Sequence, residues 1–338
     1  MRSTDSRALA KSQHGSDDED VTASKLPNFF VVGAGKAGTT SLYHYLRQHP
    51  QIYMSPVKEP CFFASELRIE NLSRDFARHI RRQTRHLPGY LGDDLPVKPL
   101  GWLVSEWGDY LRLFRKVRDE PAVGEATASY LWSETSAANI RARIPGARIV
   151  MILRDPAERA FSQYMHHLAE GFTRYTFREQ IEKSARYGAP EISILHPFLE
   201  VGLYHRQVER YLRQFPRKNI RIYWYEEDWR QPKRMLGDLF AFLGVDPAFE
   251  PDLSHKSLAK RAPRVAAVHY VLKRSNIWPS VKGFVPPALR ARLRTLAFRN
   301  GRRIVMDPKD RQFLIEYYHK DILGLSALLG KDLSHWLR

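Results

Sequence analysis

The stretch "GAGKAGTTS", residues 33–41, combines residue types that bind anions and follows a run of β-branched and aromatic residues. Backbone N–H groups of a glycine-rich turn, together with the positive end of a following helix, attract phosphate or sulfate. The standard P-loop has its lysine directly after the last glycine, whereas here Thr39 follows Gly38 and the lysine is Lys36. We therefore predict a phosphate-binding loop with a displaced lysine rather than a plain strand-to-helix turn. The predicted binding residues are Gly35, Lys36, Ala37, Gly38, Thr39, Thr40 and Ser41.

A second candidate for anion binding is "RIVMILRDPAERAFSQYMHHL", residues 148–168. Its apolar strand ends at Arg154, and Asp155 is a good N-cap for the following helix, with Glu158 placed to complete a capping box. Ser162 comes seven residues after Asp155, nearly two helical turns on, and so shares a face with the cap. Arg154 and Ser162 are therefore predicted to face a ligand beyond the strand end, where open α/β sheets bind nucleotides. The alternative is that Arg154 only pairs with a carboxylate.

A candidate general base lies in "SPVKEPCFFA", residues 55–64. Glu59 follows a short apolar run, and a glutamate at a strand end beside a phosphate site is well placed to accept a proton. The residue before it is Lys58, so a solvated Lys58–Glu59 pair is the alternative for this motif taken alone.

These motifs require strands that end at one edge of a sheet and helices that follow them. Apolar runs alternate with helical patterns along the chain, which favours a parallel sheet. Strands are predicted at Phe29–Gly33, Ile52–Met54, Ala122–Glu125, Arg148–Leu153 and Ile220–Tyr225. Helices are predicted at Thr40–His49, from Asp155 to about Ala169, from Gly202 to about Phe215 and from Gln231 to about Leu243. The expected fold is α/β, a P-loop-like three-layer arrangement with a central parallel sheet flanked by helices.

The remaining segments divide into a tail, an insertion and a C-terminal helix. Residues 1–25 are polar and have no apolar h-region, so we expect a disordered tail and not a secretory signal, followed by one domain over residues 26–338. Ser65–Gly101 is expected to be an irregular, basic insertion or lid. The C-terminal "KDRQFLIEYYHKDILGLSALLGKDLSHW" predicts a helix and a capping turn. The single cysteine, Cys61, excludes a disulfide framework and fits a reducing compartment.

Positive charge is concentrated in one segment. The chain has 338 residues and a formal net charge of +17, and Leu253–Met306 contains 13 lysines and arginines but no acidic residue. Such a patch implies an anionic partner. Its interleaved apolar residues suit an interfacial segment on an anionic membrane surface, and no stretch of about 18 apolar residues predicts a membrane span. An acidic-glycan groove and completion of the nucleotide site are the alternatives; nucleic acid is disfavoured because no recognition motif accompanies the charge.

Together, the three motifs resemble those of sulfotransferases that use 3′-phosphoadenosine 5′-phosphosulfate (PAPS), especially the carbohydrate and heparan sulfate type and its bacterial relatives. "GAGKAGTTSLYHYL" is similar to their 5′-phosphosulfate loop, "RIVMILRDPAERAFSQY" to their 3′-phosphate site, and "KEPCFF" to the segment with their catalytic glutamate. "GEATASYLW", residues 124–132, resembles the next family strand, with Ala126 where the family often has a lysine. The resemblance covers roughly residues 27–250.

The resemblance implies a mechanism with PAPS as co-substrate and no metal. Lys36 would stabilise the bridging oxygen that becomes negative as the S–O bond breaks. Glu59 would take the proton from an attacking acceptor hydroxyl, with His44 as the competing base. The implied contacts to the 3′-phosphate are Arg154, Ser162, Lys260 and Arg261. The implied residues on the acceptor side are Lys58, Glu125 and His44.

The expected function is transfer of a sulfonyl group to a hydroxyl of a carbohydrate or glycolipid, by a cytoplasmic protein that can associate peripherally with an anionic membrane surface. A sulfotransferase of a small-molecule alcohol is one alternative. A P-loop kinase-like phosphotransferase is another, and it would need Mg²⁺ and a strand that ends in aspartate. A non-catalytic membrane- or glycan-binding protein is the third.

Overall fold

The computed structural model describes residues 26–92, 94–96, 103–188, 192, 193, 195, 197–254, 270, 271 and 304–338. The predicted tail and most of the basic segment, including Lys260 and Arg261, lie outside the described residues. Within the described part, none of the helices is long and apolar enough to cross a bilayer.

Five parallel strands form one central sheet. They are β1 (Phe29–Gly33), β2 (Ile52–Met54), β3 (Ala122–Ala126), β4 (Arg148–Leu153) and β5 (Ile220–Trp224), in the spatial order β2-β3-β1-β4-β5. Since all five run in one direction, their carboxyl ends meet at the same edge of the sheet. Helices flank the sheet, which confirms the predicted α/β class.

The α-helices of the described part connect and cover the strands. They are α1 (Thr39–Leu46), α2 (Arg74–Thr84), α3 (Leu87–Gly92), α4 (Trp107–Arg112), α5 (Ser136–Arg143), α6 (Pro156–Glu170), α7 (Phe177–Tyr187), α8 (Tyr204–Gln214), α9 (Tyr225–Asp228), α10 (Pro232–Leu243) and α11 (Pro308–Leu329). Short 3₁₀ turns lie at Ser65–Leu67, Ile69–Asn71, Glu200–Gly202, Arg217–Asn219 and Ser334–Leu337.

The two central strands, β1 and β4, form the middle of the core. All five residues of β1 are buried, as are the last five of β4, which is why both are continuous apolar runs rather than alternating ones. Close packing within the sheet also requires a glycine in β3. A Cβ at Gly124 would lie 2.1 Å from Cζ of Phe29, so only glycine leaves room for that ring.

The prediction that Ser65–Gly101 is irregular is wrong in part, because this segment contains two helices. Ser73 caps α2 by accepting a hydrogen bond from the Phe76 N–H at 3.4 Å, and the helix buries only Ala77 and Ile80. Most of its surface is arginine and other polar residues, so the apolar stripe is too narrow to stand out in the sequence. The predicted end of the last strand also changes, since Tyr225 begins α9 instead of ending β5.

The predicted C-terminal helix is confirmed as α11, followed by the turn Ser334–Leu337. This helix packs against α8, α6 and α7. Its Tyr318 hydroxyl donates to the Leu199 carbonyl at 2.8 Å, and its Asp321 accepts from the His205 N–H at 3.1 Å. These contacts hold the middle of α11 against the start of α8, and the first turn of α11 reaches the start of α6, where one of the predicted anion sites lies, through the ion pair between Arg311 and Asp155.

Candidate active site

The glycine-rich loop links β1 to α1 and leaves the start of α1 without a side-chain cap. Its N-cap residue is Gly38, and no side chain among the described residues caps the helix. The first N–H groups of a helix have no partner within the helix and attract anions. Thr39 is buried at the helix start, whereas Thr40 and Ser41 are half-buried. The loop therefore has the geometry of the predicted anion site.

Left-handed backbone conformations mark two of the three predicted motifs. Of the four non-glycine residues with positive φ in the described part, three are Lys36 (69°), Glu59 (64°) and Cys61 (58°). Such residues are uncommon and cluster at functional sites, because only a well-packed surrounding maintains them. The two proposed reacting residues are therefore held by their surroundings in conformations that a free chain would seldom adopt.

Trp229, the residue directly after α9, packs on the glycine-rich loop. Trp229 Nε1 donates to the carbonyl of Ala37 at 3.4 Å. A Cβ at Gly38 would lie 2.7 Å from the same Nε1, and Gly38 has φ of 91°, so both the contact and the backbone require glycine. The ring of Trp229 thus forms one wall beside the loop.

Arg154 joins the second predicted anion motif to the first. Its Nη1 donates to the backbone carbonyl of Lys36 at 3.0 Å. The guanidinium also lies over the ring of Tyr225, with Cζ 4.6 Å from the ring centroid, and the side chain is only 15% exposed. A carboxylate is present too, since Nη2 lies 3.6 Å from Oε2 of Glu158. The alternative that Arg154 serves only an ion pair does not account for its bond to the loop.

At the start of α6 the Asp155 side chain caps the helix as predicted, but the reciprocal hydrogen bond to Glu158 does not form. Oδ1 of Asp155 accepts hydrogen bonds from the N–H groups of Ala157 at 2.8 Å and Glu158 at 3.2 Å. The predicted capping box is wrong, because the Asp155 N–H donates to Oε1 of Glu226 at 2.9 Å. The Glu158 carboxylate instead lies near the guanidinium groups of Arg154 and Arg311.

A cavity of about 360 Å³ lies beside Arg154. Its lining residues are Arg154, Glu158, Tyr225, Glu226, Trp229 and Arg230. Burial raises the pKa of Glu226, whose Oε2 is buried and has no hydrogen-bond partner among the described residues. Apart from Arg154, these residues were not among the sequence-predicted contacts. The aromatic residues of "IYWYEEDWR", which lie in and directly after the predicted strand Ile220–Tyr225, were the available signal.

Ser162 continues the same face of α6. It lies one turn beyond Glu158 and is half-buried, although it is not among the residues that line the cavity. Residues four apart on a helix lie above one another, so Ser162 extends the surface that Arg154 and Glu158 begin. Its contact with a ligand stays a prediction.

Glu59 is held by main-chain and side-chain contacts at the end of β3. Its N–H donates to the Ala126 carbonyl at 3.0 Å, and its Oε2 accepts from the Ala128 N–H at 2.8 Å. Its Oε1 pairs with Nζ of Lys58. The side chain of Glu59 is 21% exposed whereas that of Lys58 is 2% exposed. Lys58 is therefore buried, and only the Glu59 side chain reaches solvent. This differs from the fully solvated Lys58–Glu59 pair that was the alternative for this motif.

Residues 127–131, which follow β3 and include the Ala128 N–H that binds Glu59, also contact β1 and the start of the glycine-rich loop. The N–H groups of Thr127 and Leu131 donate to the carbonyls of Val31 and Val32 at 3.0 and 2.8 Å. The Ala128 carbonyl would lie 3.2 Å from a Cβ at Gly33. The residue that binds the Glu59 carboxylate thus packs on the first residue of the glycine-rich loop, and the predicted base and anion site are neighbours.

Two residues that the sequence assigned to the acceptor side, Lys58 and Glu125, are buried in the structure. Glu125 is 0% exposed and accepts hydrogen bonds from the hydroxyls of Tyr110 at 2.6 Å, Tyr130 at 3.2 Å and Thr127. Burial raises the pKa of Glu125 to about 7, even though these donors act in the opposite direction. Neither Glu125 nor the buried Lys58 offers a surface to an acceptor, so both belong to the support of the site.

His44 lies in the last turn of α1, away from the helix N-terminus. Its ring packs edge-on against Tyr43 with centroids 5.5 Å apart. Its predicted role as an acceptor contact or competing base stays a prediction.

Comparison with known proteins matches the region that contains these residues. The sequence model of the sulfotransferase family matches residues 27–251. The human bifunctional heparan sulfate N-deacetylase/N-sulfotransferase 3 is 26% identical over 328 residues, which are 95% of this chain and 32% of that protein. The mouse protein of the same name is 28% identical over 330 residues, again 95% of this chain and 32% of that protein. The chain thus spans about a third of the length of these relatives.

A solved structure gives the same assignment. The crystal structure of a sulfotransferase from Alicyclobacillus acidocaldarius is 31% identical, with a TM-score of 0.67, and the match covers 93% of this chain and all of that one. The loop, the arginine after β4 and the glutamate after β2 all fall inside the family match. On these grounds the chain belongs to the sulfotransferase family.

Proposed function

We propose that this protein transfers a sulfonyl group from PAPS to a carbohydrate acceptor. The observation that carries the proposal is the bond from Arg154 Nη1 to the Lys36 carbonyl at 3.0 Å. It brings two anion-binding motifs to one sheet edge, as a nucleotide with phosphates at both its 5′ and 3′ positions requires. Glu59 lies next to the same loop through Ala128.

The nucleotide would be bound by three groups of residues. The 5′-phosphosulfate would lie on the glycine-rich loop and the N-terminus of α1, where free N–H groups favour negative charge. The 3′-phosphate would lie between Arg154 and Ser162. The adenine base would pack in the cavity beside Tyr225 and Trp229, whose aromatic rings provide stacking surfaces.

The reaction would be an in-line displacement at sulfur. The acceptor atom attacks the sulfur, the bond between sulfur and the bridging oxygen breaks, and its electron pair stays on the 5′-phosphate. Lys36 would stabilise the charge that develops on that oxygen, which is a contact made mainly in the transition state. Glu59 would accept the proton that the acceptor loses.

Lys58 would keep Glu59 ready for this role. Its buried ammonium pairs with Oε1 of Glu59 and so fixes the position of that carboxylate. The family often has a lysine at the position of Ala126, so Lys58 supplies a cation to the same region from a different strand end. It would act on the acceptor only through Glu59.

The acceptor class is proposed from the named activities of the relatives. Two of them are heparan sulfate N-sulfotransferases by name, which supports a carbohydrate acceptor and makes a glycan amine a candidate beside the hydroxyl predicted from sequence. Glu59 fits either case, since both acceptors lose a proton on sulfonation.

The test combines binding with transfer. Calorimetry with adenosine 3′,5′-bisphosphate (PAP), with and without Mg²⁺, should show binding that does not depend on the metal. Transfer from sulfur-labelled PAPS should then be compared on a polysaccharide with free amino groups, its N-acetylated form and a simple alcohol. Metal-dependent binding of ATP with no binding of PAP would replace the proposal with the kinase-like alternative.

A further inference from the structure

Arg311 connects the C-terminal helix to the start of α6. It lies in the first turn of α11, and its Nη2 donates to Oδ2 of Asp155 at 2.9 Å. Its Nη1 lies 3.6 Å from Oε1 of Glu158. The Arg311 side chain is 27% exposed and that of Asp155 only 7%, so this ion pair is largely shielded from water. A residue far along the chain thus reaches the rim of the nucleotide cavity.

Glu158 is shared between two arginines. Its Oε2 faces Arg154 Nη2 and its Oε1 faces Arg311 Nη1, each at 3.6 Å. Charge-assisted hydrogen bonds are shorter, at about 2.7–2.9 Å. The contact between Glu158 and Arg154 is therefore loose, and a phosphate can compete with Glu158 for this arginine.

That competition has an electrostatic consequence. Once Arg154 turns to a phosphate, the carboxylate of Glu158 stands beside a group of the same sign at the cavity wall. Like charges at short distance repel, and although the Glu158 side chain is 41% exposed and water screens part of this repulsion, a cation beside the carboxylate lowers it further. Arg311 is placed to be that cation, because its Nη1 lies 3.6 Å from the other carboxylate oxygen of Glu158, so this equally loose contact can tighten once Arg154 turns away.

We propose that Arg311 is a positioning residue for recognition of the 3′-phosphate. It holds the charges of Asp155 and Glu158, so that Arg154 is released to the phosphate without leaving an unpaired carboxylate in the cavity. The inference rests on the proposed function, since it requires a 3′-phosphorylated adenine nucleotide at this site.

The experiment compares two nucleotides on two matched variants. The dissociation constants of PAP and of adenosine 5′-monophosphate (AMP) are measured by calorimetry, and their ratio reports the contribution of the 3′-phosphate. Arg311→Gln should weaken PAP about tenfold relative to AMP, which corresponds to about 1.4 kcal/mol. The control is Arg178→Gln. Arg178 belongs to α7, and its Nε pairs at 2.7 Å with Oδ1 of Asp310, which lies in the same turn of α11 as Arg311. The Arg178 side chain is 35% exposed and does not line the cavity.

The control variant should keep the wild-type ratio, because it loosens the same helix without changing the charge at the cavity. The double variant Arg311→Gln with Glu158→Gln should restore most of the ratio, since of the two carboxylates that Arg311 holds it removes the one that also faces Arg154. Equal weakening of both nucleotides in Arg311→Gln, the same change of ratio in Arg178→Gln, or no recovery in the double variant would each overturn the inference.

The wild-type protein separates this inference from the proposed function. A wild type that prefers PAP, together with an Arg311→Gln variant of unchanged ratio, would overturn the role of Arg311 and leave the proposed function standing. A wild type with no preference for PAP over AMP would overturn both.

Discussion

Arg154 and Lys36 lie 118 positions apart in the chain, yet Nη1 of the arginine donates to the main-chain carbonyl of the lysine at 3.0 Å. The strands that precede them, β1 and β4, are neighbours in the sheet. The guanidinium therefore supports the backbone of the glycine-rich loop, and Arg154 also lines the cavity beside it. In the proposed complex, loop conformation and 3′-phosphate binding are coupled through this one side chain.

This coupling distinguishes two substitutions at the proposed 3′-phosphate site. Ser162→Ala should weaken PAP and leave AMP unchanged, because the hydroxyl is predicted to contact only the 3′-phosphate. Arg154→Ala should weaken PAP more strongly and AMP as well, because it also removes the bond to the Lys36 carbonyl. A hydrogen bond to a charged group contributes about 1.5–3 kcal/mol, or roughly 10- to 150-fold in affinity. Calorimetry on both variants checks this; equal losses of PAP and AMP in Ser162→Ala would remove Ser162 from the site.

Lys36→Ala should separate binding from chemistry. The hydrogen bond from Arg154 goes to the carbonyl of Lys36, so the substitution leaves it in place and nucleotide affinity should change little. The turnover number for sulfonyl transfer should fall about 10²-fold or more, by analogy with removal of one donor that stabilises transition-state charge. The measurement is transfer from labelled PAPS beside the dissociation constant of PAP. Turnover like that of the wild type would exclude Lys36 from the mechanism.

Glu59→Gln should lose about 10²–10⁴-fold in transfer while it retains PAP affinity. It should also lose stability, because the buried Lys58 is left without its carboxylate, and breaking a buried ion pair costs about 3–5 kcal/mol. The matched double variant Lys58→Met with Glu59→Gln removes both charges and should regain most of that stability without regaining activity. Denaturant unfolding and transfer assays on both variants test this. Recovery of transfer in the double variant would show that Glu59 is not the base.

Gly38→Ala should destabilise the protein and Gly35→Ala should not. A Cβ at Gly38 would lie 2.7 Å from Nε1 of Trp229 on a backbone with φ of 91°, whereas a Cβ at Gly35 would meet no atom within 4 Å from the described residues beyond its chain neighbours. A strained left-handed residue costs about 1–3 kcal/mol. The free energy of unfolding of the two variants gives the comparison. Equal stability would mean that Trp229 does not pack on the loop in solution.

The sequence was sufficient for the strands because β1 and β4 are buried on both faces and so appear as unbroken apolar runs. It was not sufficient for contacts between distant segments. The carboxylate that accepts the Asp155 N–H belongs to Glu226, 71 positions away, and no local pattern distinguishes it from the expected Glu158. The burial of Glu125 depends on Tyr110, which comes from a helix outside the recognised motifs. Local rules predict caps and periodicity, whereas these partners are set by the packing of separate elements.

The buried Glu125 gives a prediction for the dependence of stability on pH. Its pKa is raised by burial from 4.5 to about 7, so the folded state binds a proton that the unfolded chain releases above pH of about 4.5. The resulting stabilisation is fully present below 4.5 and is lost as the pH rises through about 7. Glu125→Gln cannot lose it, because the amide has no proton to release in this range.

The free energy of unfolding of Glu125→Gln relative to wild type should therefore rise by about 2–3 kcal/mol between about pH 5 and pH 8. Urea unfolding at the two pH values measures this difference. Tyr110→Phe provides the control, because the Tyr110 hydroxyl lowers the pKa of Glu125 and its loss should move the transition to higher pH. Glu125 lies in the same segment as Ala126 and Ala128, which hold Glu59. A relative stability that does not change with pH would show that Glu125 keeps one protonation state in this range and would remove burial as the cause.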